Sequence, residues 1–420
     1  ISNMTTKTLM WALVVVLIVI AAGAYGYRYL VENPPDALVE VVTKTNPPPP
    51  LPQGELAPLT APEGFTATIF SREVPGARVM IRDPKGTLLV SETGDGKVVA
   101  LPDQDGDGTA DRTVVILEGL NKPHGLLINC PDTGAASADQ DGCRLYVAET
   151  DTLKSYRYDA DTMRASEGET LTTFPSEDGH FTRTLLMHPD GKHILMSIGS
   201  SCNVCEEIDI RRASVQSYNL ETKTVSTFAA GLRNSVFMAT DPVEGDVWAT
   251  ENGRDMIGDD IPPDEVNILS KGKNYGWPIC YGDNVHDTDF DTRQYFRDPC
   301  ADMQKPQIAL QAHSAPLGLA FVPEEGWPEA MRNDLLVAYH GSWNRSQPTG
   351  YKVVRFDLDD SRQATSGPID FLTGFLAADA SKTDDAIGRP VGLLAEPGGV
   401  VYVSDDRAGA IYRIARNALE

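Results

Sequence analysis

Positive charge is scarce in this sequence. Lys and Arg total 36 against 60 Asp and Glu, a formal net charge of −24 at pH 7. A surface so acidic repels nucleic acid, so no DNA or RNA partner is expected. It suits calcium or a basic electron-transfer partner instead. Long helical periodicity is also missing, which argues against a helical bundle. Cysteine is limited to six residues. The single Cys-x-x-Cys, Cys202 to Cys205, is followed by Glu206 rather than His, so there is no c-type haem attachment motif. Long apolar runs are limited to one, Leu9 to Ala24.

That run is preceded by Lys7 and followed by Arg28. At about 17 residues it is at the short end for a membrane span. A secretory signal peptide is the competing reading, with Ala22-Gly23-Ala24 as a small-residue cleavage site. Either places the remainder outside the cytoplasm. The expectation is a periplasmic protein anchored to the inner membrane by an uncleaved helix within residues 1–30. Residues 31–62 are rich in proline, including Pro47 to Pro50, and read as a semi-rigid spacer. The cysteines fall into close pairs, Cys130 with Cys143, Cys202 with Cys205 and Cys280 with Cys300. An even count in an exported chain favours disulfides, with a redox pair as the alternative at Cys202 and Cys205.

From residue 63 one pattern recurs six times. A short apolar strand enters a turn, usually with Pro and Gly: RVMIRDPKG (78–86), HGLLINCPDTG (124–134), RTLLMHPDG (183–191), SVFMATDPVEG (235–245), GLAFVPEEG (318–326) and VGLLAEPGG (391–399). Second strands follow as TLLVSET, RLYVAET, HILMSIG, DVWATEN, DLLVAYH and VVYVSDD, and third strands as in KSYRYDA or KVVRFDL. Short antiparallel strands repeating at about 50 residues predict an all-β, six-bladed β-propeller over residues 63–420. The spare strand Phe65 to Phe70 is expected to complete the last blade and remove an open edge. The interval between the fourth and fifth units is the longest and is expected to pass over one face.

In a propeller, function sits at the channel mouth, at the heads of the first strands. Those heads hold Arg78, His124, His180 with Arg183, Arg233 with Asn234, Ser314 and Arg389. A cationic centre in an acidic protein points to an anionic ligand. One loop runs against this trend. The segment ENGRDMIGDDIPPDEVNILS (251–270) crowds Asp255, Asp259, Asp260, Asp264 and Glu265, a set that favours a hard cation with oxygen ligands. DQDGDGTAD (103–111) resembles a calcium loop. Val114 stands where the bidentate glutamate would be, so a polar turn is the other reading.

Taken together, GLRN (231–234), ENGRD (251–255), PPDEVN (262–267), NYGWP (274–278), HGSWNR (340–345) and GRPVG (388–392) resemble the pyrroloquinoline-quinone (PQQ)-dependent sugar dehydrogenases. The sorbosone and soluble aldose dehydrogenase branches are the nearest in pattern. The resemblance covers about residues 62–415 and implies a six-bladed propeller that binds PQQ and Ca2+. It implies that His180 is the general base, that Arg233 polarises the quinone, and that Asn234, Arg345, Arg389 and His124 border the cofactor. It further implies that main-chain carbonyls of Gly253 and Arg254 hold the cofactor calcium, and that Asp264, Glu265 and Tyr275 belong to a second calcium site. A sugar or sugar-aldehyde substrate follows, with a separate electron acceptor, a cytochrome or a membrane quinone. One departure stands out. Where the glucose enzymes have an aspartate to orient the histidine, this chain has Ile198-Gly199-Ser200-Ser201. A calcium-dependent propeller lactonase and a non-catalytic binding propeller are the alternatives from other classes.

Overall fold

The computed structural model describes residues 58–130 and 142–418. The expected N-terminal helix lies outside the described residues, as does nearly all of the spacer. Among the described residues, no helix is long and apolar enough to cross a membrane.

Six four-stranded antiparallel sheets form six blades. Their innermost strands are Ala77–Arg82, Gly125–Asn129, Leu185–Met187, Met238–Thr240, Pro316–Phe321 and Pro390–Glu396. Each touches the next around the ring, and the last touches the first. The ring closes as expected. Phe65–Ser71 pairs antiparallel with Ala410–Arg416, Phe65 opposite Arg416. The first strand of the described chain thus becomes the outer strand of the last blade.

The second strands are the most apolar, because each blade is sandwiched between two others. Leu88–Glu92, Val247–Glu251 and Leu335–Tyr339 are buried at every position. Each fully buried Leu there contributes about 1.5–3 kcal/mol relative to exposure. The inner strands converge so tightly that three of them need glycine. A Cβ on Gly125 would strike the carbonyl of Arg183; on Gly318, that of Val391; on Gly392, that of Arg78. Each struck atom belongs to the next blade. Hydroxyls bridge the same seams. Thr250 Oγ1 donates to Leu317 O, and Ser404 Oγ donates to Arg78 O, each at 2.7 Å.

Fourth strands at Val114–Leu117, Arg164–Thr173, Val225–Ala230, Ile308–Leu310 and Ile369–Leu372 complete the other blades. All six cysteines form the three expected disulfides. The long interval after Asp264–Leu269 carries a small hairpin, Cys280–Tyr281 with Val285–His286, before the fourth strand begins. It runs beside blade 3, where Asn274 bridges Ala230. The 103–111 loop joins the third and fourth strands of blade 1. Its carboxylates accept backbone N–H groups: Asp103 from Gly108 at 3.0 Å, Asp107 from Thr109 at 2.8 Å and Asp111 from Gln104 at 2.7 Å.

Candidate active site

Segments joining second to third strands, and fourth strands to the next blade, all emerge at one end of the channel. This mouth gathers 175–184, 199–213, 231–237, 252–263, 311–315, 340–351 and 388–390. Most of the motif residues lie here. A cavity of about 580 Å³ lies elsewhere. It opens between Ala67–Glu73 and Thr109–Thr113 at the outer rim of blades 6 and 1 and contains none of them.

His180 is held by the loop that replaces the aspartate. Its Nδ1 lies 3.1 Å from both Ser200 O and Ser200 Oγ. The Ser200 hydroxyl donates to Cys202 O at 2.6 Å, so its proton is already committed. Nδ1 must therefore carry hydrogen and donate to Ser200. That leaves Nε2 with a lone pair and, among the described residues, no partner. A carbonyl thus does by hydrogen bonding what a carboxylate would do with charge. Burial lowers the His180 pKa to about 3, helped by Arg233, Arg212 and Arg183 and opposed by the Ser200 carbonyl. The imidazole is neutral at pH 7. Arg183 and Arg212 fix its backbone, donating to His180 O at 2.8 and 3.5 Å. Gly199 lets Asn234 approach, since a Cβ there would lie 2.6 Å from both Asn234 Oδ1 and His180 Cβ.

Arg233 is buried, and all five of its N–H donors are in use. Nε donates to Asn203 O at 2.9 Å, and Nη1 to Asn252 O at 3.3 Å and Gly253 O at 2.9 Å. Nη2 donates to Asn203 Oδ1 at 2.9 Å and Asp255 Oδ2 at 2.7 Å. Any ligand it polarises must share or displace one of these partners. Arg389 has more to offer. Nε and Nη2 donate to His340 O and Gly341 O at 3.1 and 2.6 Å, and Nη1 has no partner among the described residues. Beside it, Asp406 pairs with Arg78 at 3.2 Å and with His340 at 2.9 Å. Burial opposes ionisation of Asp406, but His340, Arg78 and Arg389 outweigh it and hold its pKa below the usual range. Burial, with Arg389, lowers His340 to about 4. One carboxylate against two guanidinium groups leaves the cluster net positive, fit for an anionic ligand.

Other expected residues are placed differently. His124 is fully buried in the channel wall, edge-on to Phe237, with Nδ1 3.3 Å from Thr184 Oγ1. Arg345 reaches the extra loop, donating to Asp259 O and, at 3.2 Å, to Asp260 Oδ1. Asp259 in turn accepts from Ser346. These two aspartates therefore latch 256–263 onto blade 5.

The Asp264–Glu265 pair splits, because successive strand residues face opposite ways. Asp264 accepts N–H groups from Gly253 and Ala315, each at 2.9 Å. Glu265 turns instead into a small cavity of about 20 Å³. Gly253, Arg254, Tyr275 and Glu251 share its wall. The Tyr275 phenol is engaged elsewhere, donating to Ile268 O at 2.6 Å. The cavity has room for one water-sized body. Glu251 Oε2 is buried there without a partner. Burial pushes Glu265 up to about 7 and Glu251 well above its ordinary value, with Glu265 adding to the latter. Two buried carboxylates, one with an orphaned oxygen, are the hard donors that calcium takes, although Arg233 and Arg254 share the wall with them. Glu251 did not stand out in the sequence, although it opens the ENGRD motif.

A pH test follows. A carboxyl raised to about 7 in the fold binds more protons than when unfolded. Its stabilising contribution is present below its unfolded pKa and lost as pH rises through 7. Calcium reverses that loss, so added Ca2+ should raise the melting temperature more at pH 8 than at pH 5. An equal shift at both, or none, would count against an ion in this cavity.

A model of the TrAA12-like family matches residues 59–417. The chain belongs to this family. An uncharacterized protein of Borreliella burgdorferi is 31% identical over 363 residues, covering 85% of this chain and 90% of that one. A pyrroloquinoline quinone-dependent sugar dehydrogenase of Hypocrea jecorina is 26% identical, covering 86% and 90%. The holo form of the PQQ domain of pyranose dehydrogenase from Coprinopsis cinerea superposes with a TM-score of 0.69 at 25% identity, over 86% of this chain and 98% of that domain. The motif resemblance and the TrAA12-like match agree on the family.

Proposed function

We propose that this protein is a PQQ- and calcium-dependent dehydrogenase that oxidises an aldose or sugar aldehyde at C1. The observation that carries the reading is His180, whose Nδ1 is fixed on Ser200 while Nε2 has no partner among the described residues and the Arg233 charge acts on the ring. The names of the Hypocrea and Coprinopsis relatives supply the cofactor and the substrate class.

When bound, PQQ would supply the hydride acceptor and calcium a fixed positive charge beside it. The chain's own residues do the rest. His180 Nε2 takes the proton of the sugar C1 hydroxyl. Three guanidinium groups depress its basicity; an anionic ligand among them raises it towards neutrality. Arg78, Arg389 and His340 would bind carboxylates of the cofactor, and Arg233 with Asn234 would border it. Glu265 and Glu251, with main-chain carbonyls of Gly253 and Arg254, would hold calcium; the Tyr275 phenol, already bonded to Ile268 O and Ser270 N–H, would only border it. The three disulfides and the apolar N-terminal run support a periplasmic protein anchored to the inner membrane. With no haem motif in the chain, electrons leave to a separate carrier, a cytochrome or a membrane quinone.

Reconstitution with PQQ and Ca2+ should give sugar-dependent reduction of an artificial dye. A protein that binds no PQQ when saturated with calcium would refute the reading.

A further inference from the structure

Two arms of the mouth converge on a ring of four residues. Cys202 and Cys205 are disulfide-bonded, enclosing Asn203 and Val204. On one side, Ser200 Oγ donates to Cys202 O at 2.6 Å, and Ser200 is the residue that receives His180 Nδ1. On the other, Asn203 takes hold of Arg233 twice, through its main-chain O and its Oδ1, each at 2.9 Å. The same Oδ1 accepts Asp255 N–H at 2.7 Å, while Nδ2 donates to Asp255 O at 3.0 Å. Trp277 Nε1 also donates to Asn203 O at 3.4 Å. The circuit closes where Ser200 N–H donates to Arg233 O at 2.7 Å.

An amide side chain suits this place because its oxygen accepts from two partners while its separate nitrogen donates to a third. Aspartate could accept from Arg233 but not donate to Asp255 O. Alanine would leave a guanidinium N–H and a backbone N–H without partners in a largely buried place. The disulfide removes the freedom by which so short a loop would otherwise slip.

We infer that Asn203, clamped in the Cys202–Cys205 ring, is a positioning residue for both His180 and Arg233. The link to His180 runs through the ring, whose Cys202 carbonyl takes the Ser200 hydroxyl proton and so fixes the tautomer that opens Nε2; the link to Arg233 is direct and sets the plane of its guanidinium. The functional meaning rests on the dehydrogenase reading; the geometry does not.

The test uses the full chain labelled with 15N-histidine, which has seven histidines to resolve. His180→Gln assigns the His180 Nδ1–H signal. Asn203→Ala should broaden or abolish that signal and weaken PQQ binding about tenfold in the presence of Ca2+. Turnover should fall by about 10–100-fold with the sugar KM little changed, as expected when a reacting group is displaced by a fraction of an ångström to 1 Å. Cys202→Ala/Cys205→Ala keeps the Asn203 side chain and frees the ring. It should move the same three readouts less, and it decides the matter if Asn203→Ala does not fold. A lower melting temperature with an unchanged His180 signal and unchanged PQQ affinity would overturn the inference. If the wild-type chain oxidises no sugar, the dehydrogenase reading fails, and the imidazole signal alone still judges the role of Asn203.

Discussion

His180→Ala should lower turnover by about 10²–10⁴-fold, the usual range for loss of a general base, while PQQ binding stays largely intact. The separation is expected because the imidazole contributes one open nitrogen, whereas the cationic groups suited to an anionic cofactor are Arg78, Arg389 and Arg233. If His180 only caps a strand head, the variant should melt earlier but turn over normally in its loaded fraction. Measuring PQQ affinity, melting temperature and turnover on one preparation tells these apart. A fully active, fully loaded His180→Ala protein would remove the centre of the proposed mechanism. His124, the next imidazole by motif, could not step in as placed, since it is fully buried.

The same residue predicts a pH effect without cofactor. Its folded pKa, about 3, is below the ordinary value of 6.5. The unfolded chain therefore binds the extra proton first as pH falls. The contribution of His180 to stability is present above 6.5 and is lost as pH falls towards 3. His180→Gln, which cannot take that proton, should lose less stability across this window.

Much of the fold could be read because its most buried strands have the plainest sequence. LLVSE, VWATE and LLVAY are apolar or small on both faces, since a neighbouring blade covers each side. The third strands were legible more from alternation, as in TLKSYRYD, where buried and exposed positions largely take turns. The fourth strands were not. RASEGETLTT, the outer strand of blade 2, is mostly exposed, so neither alternation nor an apolar run marks it. At the site, the residues with an unusual motif were legible, and those acting through partners were not. Ser200 was visible only as a missing aspartate, and nothing in the sequence could show that its hydroxyl points at Cys202 O. Asp264 and Glu265 are adjacent in the chain, yet strand geometry sends one to backbone amides and the other to a cavity. The pairing of Asp406 with both Arg78 and His340 brings together blades 1, 5 and 6, a contact that no local spacing encodes.

Arg233→Ala should cost more than a lost cofactor contact. The Arg233–Asp255 pair is 2.7 Å apart, with side chains 6% and 17% exposed. Removing one partner of such a pair strands the other charge and costs about 3–5 kcal/mol. Four more acceptors lose their donor at once: Asn203 O and Oδ1, Asn252 O and Gly253 O. Gly253 and Asn203 anchor the wall of the Glu265 cavity and the His180 loop respectively, so both should loosen together. The expected result is a large fall in melting temperature, weaker PQQ and Ca2+ binding, and slower turnover in whatever fraction remains loaded. Arg233→Lys sharpens the test. Lysine keeps the charge and can still meet Asp255, but its single ammonium cannot reach partners on two sides as a planar guanidinium does. It should recover part of the stability and little of the turnover. If Arg233→Lys restores full turnover, charge alone is enough and the fork geometry is irrelevant. If Arg233→Ala folds normally and loses only PQQ affinity, Arg233 serves the ligand alone, and its five protein contacts are dispensable.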